Sequence, residues 1–137
     1  MFSKATEYAL RATIFIAQKG SKENKLGISE IADGINSPKS FTAKILQQLT
    51  AGNKIVSSAR GPNGGFYLTE SARNLPIRVI LETMEEDGVL DKCVWGLKQC
   101  SELMPCPMHS QYQPIKIQLK ALFEAKTIQN LADEMKM

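Results

Sequence analysis

"ISEIADGINSPKSFTAKILQQLTAGNKIVSSARGPNGGFYLT", residues 28–69, carries most of the architectural information in this chain. Two short helical patterns come first. Ser29 is placed to cap "EIADG", whose Ile31 and Ala32 point inward and which stops at Gly34. Ser37 followed by Pro38 predicts an N-cap and first-turn pair for a second helix, running to about Ala51. Phe41, Ile45, Leu46 and Leu49 give that helix a buried stripe. Its other face shows Lys39, Ser40, Ala43, Lys44 and Gln47, which are small, polar or basic, with no acid from Lys39 to Gly52. Two short helices joined by a tight turn, the second with a slim polar face, form the helix-turn-helix pattern, whose second helix enters a major groove.

Ile55 to Ala59 and Phe66 to Thr69 predict two strands, and Arg60-Gly61-Pro62-Asn63-Gly64-Gly65 between them is turn chemistry throughout. A hairpin directly after a helix-turn-helix is a wing. Its tip has one arginine and little other side chain, so it suits a minor groove, where narrow A·T tracts attract Arg. The expected DNA-contacting residues are Ser37, Lys39, Ser40, Ala43, Lys44 and Gln47 from the helix, with Arg60, Gly61, Pro62, Asn63 and Gly64 from the wing. Ser37 is a cap candidate as well, and the glycines serve the turn with or without DNA. Arg60 has no evident structural duty and carries the most functional weight.

Upstream, Ser3 caps a predicted helix from about Lys4 to Gln18, with Tyr8, Ala9, Ala12 and Ile16 on one face and Leu10, Ile14 and Ala17 widening it. So wide an apolar surface is expected to be largely buried. Downstream, Asn74, Leu75 and Pro76 open a helix carrying Val79, Ile80 and Met84 and ending in the acidic "EEDG". From about Ser110 helical spacing returns, with Ile115, Leu119, Leu122 and Phe123 in one stripe. A long apolar stripe in a small chain predicts that a partner subunit covers it. Thr127 caps a last short helix with Ile128, Leu131 and Met135 apolar.

The expected fold is therefore mainly α with a small β-hairpin wing: a winged helix-turn-helix DNA-binding domain plus a long dimerisation helix. The division expected is 1–87 for the DNA-binding domain, 88–110 for a cysteine-rich loop, and 111–137 for the dimerisation helix with the C-terminal helix. Residues 1–74 hold ten Lys/Arg against five Asp/Glu, whereas residues 75–137 hold seven against nine. A basic front and a slightly acidic back suit a nucleic-acid-facing half joined to a half with another task. The opening "MFSKATEYALRATIFIAQKG" lacks the apolar stretch and cleavage site of a signal peptide, and no run reaches the length of a membrane span. A cytoplasmic protein without membrane association is expected.

All three cysteines and the single histidine fall within "CVWGLKQCSELMPCPMH", residues 93–109. In a cytosolic chain an odd cysteine count argues against a structural disulfide set and for metal or redox chemistry. Thiolate sulfur is soft and favours zinc or iron–sulfur clusters, and Cys93, Cys100, Cys106 and His109 supply four ligands. A Cys3His set is common for structural zinc, so both metals remain open on the residues alone. The Gly96, Pro105 and Pro107 positions make the segment mostly loop. One histidine, no Ser-His-Asp arrangement and no Gly-rich phosphate loop argue against an enzyme.

With these motifs the sequence resembles the IscR/NsrR-type winged-helix regulators of bacteria, many of which carry an iron–sulfur cluster. The likeness spans nearly the whole chain: "YALRATIFIA", the helix-turn-helix, the "RGPNGGF" wing as the most specific element, "LPIRVILETME", and three cysteines before a long helix. It implies a homodimer on a palindromic operator in double-stranded DNA, with binding, repressive in sense, controlled by a cluster that senses nitric oxide, redox or iron–sulfur status. It implies [2Fe–2S] in preference to [4Fe–4S], with zinc or a thiol switch as the alternative. The Cys106-Pro-Met-His109 arrangement resembles that of IscR, where the histidine completes the site; in NsrR-like members the fourth ligand is a carboxylate from the first helix of the other subunit, and Glu7 of the partner subunit matches it. Two departures stand out. The first two cysteines are separated by six residues where the family usually has five, and Ala43 replaces a glutamate that IscR uses in base discrimination.

Overall fold

The computed structural model describes residues 1–93, 95, 103 and 107–135. Its centre is α1 (Lys4–Lys19), capped by Ser3, whose Oγ accepts from the Thr6 N–H at 3.2 Å. Ala9, Ala12 and Ile16 are wholly buried, and the small alanines let neighbouring helices approach closely. Then follow α2 (Ile28–Gly34), α3 (Lys39–Leu49) and a 3-10 turn at Ala51–Asn53. The two-stranded wing is β1 (Ser57–Ala59) and β2 (Gly65–Tyr67), antiparallel with Ser57 opposite Tyr67 and Ala59 opposite Gly65. α4 (Glu70–Arg73) and α5 (Arg78–Thr83) come next, then a 3-10 turn at Asp87–Leu90. α6 (His109–Ala125) and α7 (Ile128–Glu134) close the chain. The fold is the mainly helical, winged arrangement expected.

One core gathers the inward faces of α1, α2, α3, α5 and α7, with Ile16, Ile31, Ile45, Leu46, Leu49, Ile80 and Ile128 among its fully buried members. α7 folds back along α1. Its return is stitched by backbone bonds from Ile77 N–H to Lys126 O (2.9 Å) and from Ile128 N–H to Leu75 O (3.0 Å). Thr127 and Asn130 cap each other reciprocally at 3.0 Å, which explains the sharp start of α7. α6 behaves differently: none of its described side chains is buried, and Ile115, Ile117 and Leu122 are 54–58% exposed. Phe123 packs towards the core and meets Phe2 edge-on at 5.6 Å.

Several local expectations change. The start of α2 is set by Gly27 rather than Ser29: Gly27 O accepts the first helical bond from Ile31 N–H, and Glu30 reaches back to the Gly27 N–H at 3.2 Å. Ser29 lies inside the helix. α3 likewise begins one residue late, because Pro38 keeps an extended ψ of 138° and its carbonyl is the first acceptor, bonded by Thr42 N–H at 2.9 Å. Ser37 therefore makes no backbone cap. The hairpin strands are shorter than predicted, since Leu68 turns into the core and Thr69 caps α4, a helix too short for periodicity to reveal. Met135 ends outside α7 and exposed, with Ala132 taking the inward place.

Glu86 fastens the N-terminus of α1 from eighty residues away. Its carboxylate accepts from the hydroxyls of Ser3 and Thr6 and from the Ser3 N–H at 3.1 and 3.2 Å. These bonds, Ser3 first and Thr6 next, hold its pKa below the ordinary value of 4.5. A carboxyl depressed in the folded state stabilises it above the unfolded value, and that contribution is lost as pH falls through the folded value. Urea unfolding should find Glu86→Gln less stable than the natural chain by about 1 kcal/mol at neutral pH. That gap should close as pH drops below 4.5; a gap that persists in acid would assign the effect to shape rather than charge.

Candidate nucleic-acid interface and cysteine segment

The buried stripe of Ile45, Leu46 and Leu49 turns the other flank of α3 to solvent. Lys39, Ser40, Lys44 and Gln47 are exposed there, and Ala43 is half-buried between them and the core. Gln48 is exposed as well, a member of the flank beyond those the sequence predicts, and its place one turn after Lys44 is the signal for it. Thr42 faces inward: its Oγ1 donates to the Pro38 carbonyl at 2.9 Å and stands 3.0 Å from Ser37 Oγ. Ser37 thus braces the first turn through its hydroxyl. No acid offsets the two lysines on this helix, so its free flank is cationic.

The wing grows from the far end of α3, where Val56 N–H bonds Leu49 O at 3.2 Å. Arg60, Gly61, Pro62 and Asn63 are all exposed at its tip. Gly64 N–H closes the turn on Gly61 O at 2.9 Å. Two glycines are needed for different reasons. Gly61 has φ +102°, open only to a residue without Cβ strain, whereas a Cβ on Gly64 would stand 2.3 Å from the Ala59 carbonyl oxygen. At its base β2 is pinned by a third extended segment, with Leu26 and Phe66 exchanging backbone bonds of 2.9 and 2.8 Å. The tip is thereby a short hydrogen-bonded turn presenting one guanidinium.

Of the candidate metal ligands, Cys93 is buried at 4% exposure, and its Sγ accepts from the Trp95 N–H at 3.4 Å. Cys100 and Cys106 lie outside the described residues. His109 is the first residue of α6 and half-buried. Glu7 is exposed on the first turn of α1, edging a shallow depression with Leu10 and Arg11. Among the described residues no three potential ligands converge, which follows from two of the thiols falling outside that set. The approach to Cys93 carries a surface ionic cluster. Asp91 is gripped by Lys120 of α6 at 3.2 Å and by Arg78 of α5 at 3.9 Å, and Arg78 also reaches Glu124 of α6 at 2.6 Å. Cys93 therefore follows directly on an ionic cluster that joins α5 to α6.

The family described as "Rrf2: Iron-dependent Transcriptional regulator" matches residues 2–134. The chain belongs to the Rrf2 family. It is accordingly a transcriptional regulator rather than an enzyme. An HTH-type transcriptional regulator of Aquifex aeolicus is 29% identical over 96% of this chain and 90% of its own length. The regulator NsrR of Oceanobacillus iheyensis is 29% identical over 93% of this chain and 86% of its own. Among solved structures, CymR, the global cysteine regulator of B. subtilis, superposes with a TM-score of 0.77 at 19% identity, covering 99% of this chain and 98% of its own. That likeness extends to the fold. No helix of the described residues is long and apolar enough to cross a membrane.

Because the Gly64 site has no room for a methyl group, Gly64→Ala should loosen the wing and cost about 1–3 kcal/mol in urea unfolding. Limited proteolysis should then cut between Ala59 and Gly65 faster than in the natural chain. Unchanged unfolding and cleavage would mean that the turn relaxes around the new side chain.

Proposed function

We propose that two copies of this chain read a palindromic operator and repress transcription from it, with Lys39, Ser40, Ala43, Lys44 and Gln47 of α3 in the major groove. Ser37 approaches a phosphate, and Arg60 leads the wing through Gly61, Pro62, Asn63 and Gly64 into the minor groove. The exposed cationic flank of α3 and the short, glycine-rich, exposed wing tip support this reading. Phosphate contacts from lysine supply affinity and its salt dependence, while base-edge and groove-width contacts supply selectivity. Ala43 offers a methyl surface where a carboxylate would accept from cytosine, so the preferred sequence differs from that of IscR. The exposed isoleucines and Leu122 of α6 are the surface by which two copies pair.

The observation that carries the regulatory part is the place of Cys93: buried, two residues after Asp91, at the ionic joint between α5 and α6. The donor set fits an iron–sulfur cluster, because three thiols and one imidazole offer soft ligation within a single segment. Cys93, Cys100, Cys106 and His109 would hold it, [2Fe–2S] before [4Fe–4S], with Glu7 of the partner subunit as the alternative fourth ligand. Such a group supplies a thiolate-ligated iron site sensitive to nitric oxide, oxygen and iron–sulfur supply. The chain's own part is to link ligand spacing at Cys93 to the Asp91 joint, and so to the angle between the reading unit and α6. Residues 1–87, 88–110 and 111–137 then act as reader, sensor segment and pairing arm. A ten-fold change in occupancy needs only about 1.4 kcal/mol of such coupling.

Anaerobic purification with an ultraviolet–visible spectrum and iron, sulfide and zinc assays should give a coloured protein with iron and sulfide. A colourless chain holding one zinc and no sulfide would overturn the cluster in favour of a structural Cys3His site. For the DNA contacts, Arg60→Ala and Lys44→Ala should each weaken duplex binding, and Lys44→Ala should flatten its salt slope by about one unit. Duplex affinity and slope indifferent to both changes would point to a protein-binding use of the same face.

A further inference from the structure

The aliphatic core stripe of α3 begins at Ile45, and the helix's first turn meets the core through Phe41 and the buried Thr42 instead. Two directional contacts add to that burial. One is the Thr42 hydroxyl on Pro38 and Ser37. The other is aromatic: Phe41 of α3 meets Tyr8 of α1 edge-to-face, with centroids 5.3 Å apart and planes at 74°. The Arg11 guanidinium lies 4.5 Å from the centroid of the same Tyr8 ring. All three side chains are half-buried, at the rim of the core and beside the exposed flank that carries Lys39, Ser40 and Lys44.

Resting on the DNA reading above, we infer that Tyr8 and Phe41 are positioning residues for base selectivity, with Arg11 holding the Tyr8 ring in place. Edge-to-face rings prefer a narrow range of geometry, unlike aliphatic contacts, which tolerate sliding. A guanidinium over the ring face restricts it further. Recognition helices contact bases mainly through their N-terminal residues, the part of α3 that Phe41 fixes. The lysines reach phosphates on long flexible stems and tolerate a small roll of the helix. Ser40 and Ala43 have no such reach, so their fit to base edges depends on that roll. The aromatic pair thereby governs selectivity and leaves the phosphate-driven part of affinity alone.

The test uses the full chain and a duplex recovered by selection from a random-sequence pool against it. Affinity for that duplex is compared with affinity for the unselected pool, each across a salt series, with thermal unfolding alongside. Tyr8→Leu and Phe41→Leu should each lower the selected-to-unselected affinity ratio about three- to ten-fold, and the double variant no further. Affinity for the unselected pool and its salt slope should hold. Tyr8→Phe keeps the ring and should keep the ratio even if its melting point moves. A lowered melting point with an unchanged ratio in both leucine variants would reduce the pair to core packing and overturn the inference. If the natural chain enriches no duplex and Lys44→Ala and Arg60→Ala change nothing, the DNA reading falls and takes this inference with it. If those two alanine variants lose binding while the leucine variants keep their ratio, only the positioning role falls.

Discussion

The position of α1 is the constraint on which the other elements depend. It is buried along Ala9, Ala12 and Ile16, and charged side chains from distant parts of the chain grip both its ends. Glu86 takes the N-terminal hydroxyls and N–H group, and the Arg73 guanidinium donates to Ala17 O at 2.7 Å and Gly20 O at 3.0 Å at the other end. An anion at the start and a cation at the finish match the helix dipole. Each end group also comes from the segment between the wing and the cysteines, so the sequence-distant halves meet on one helix. Arg73 binds Gln129 too, at 2.9 Å, and so brings α7 into the same joint.

Much of this fold is legible in the residues because local and global signals agree. The 3.6-residue stripe of α3, the glycine-rich turn between two β-rich runs, and Thr127 before α7 each state their structure within a short window. Helix starts are less legible. At α2 and α3 several polar residues compete as caps, and the outcome rests on which carbonyl first accepts, a property of backbone torsion at Gly27 and Pro38. Met135 and Leu131 matched a helical apolar pattern, but the geometry of α7 on α1 gave the buried place to Ala132. The Glu86 cap was illegible for a simpler reason: no local pattern links an acid to a helix eighty residues earlier.

The candidate site divides in the same way. The exposed flank of α3 and the open tip of the wing follow from periodicity and turn chemistry, so Lys39, Ser40, Lys44, Gln47 and Arg60 stand where the sequence put them. Ligand chemistry at Cys93 and His109 is also a sequence-level property. What composition could not convey is the Asp91 joint, because it is assembled from Arg78, Lys120 and Glu124 on two separate helices. Exposed pairs of this kind stabilise weakly one by one, and this one gains what it has from being a network of four charges. Gln48 and the Tyr8–Phe41 pair are hidden for a related reason, since solvent exposure and ring geometry emerge only from packing.

The return of α7 has a mechanical consequence for α6. With Lys126 and Ile128 bonded to Ile77 and Leu75, the C-terminal end of α6 is a fulcrum rather than a loose tail. The helix beyond it is a lever about 25 Å long, at 1.5 Å per residue. Its far tip is His109, so a pivot of about 10° moves that end by roughly 4 Å along an arc. Displacement in such a pivot grows along α6 from its Lys126 end towards His109.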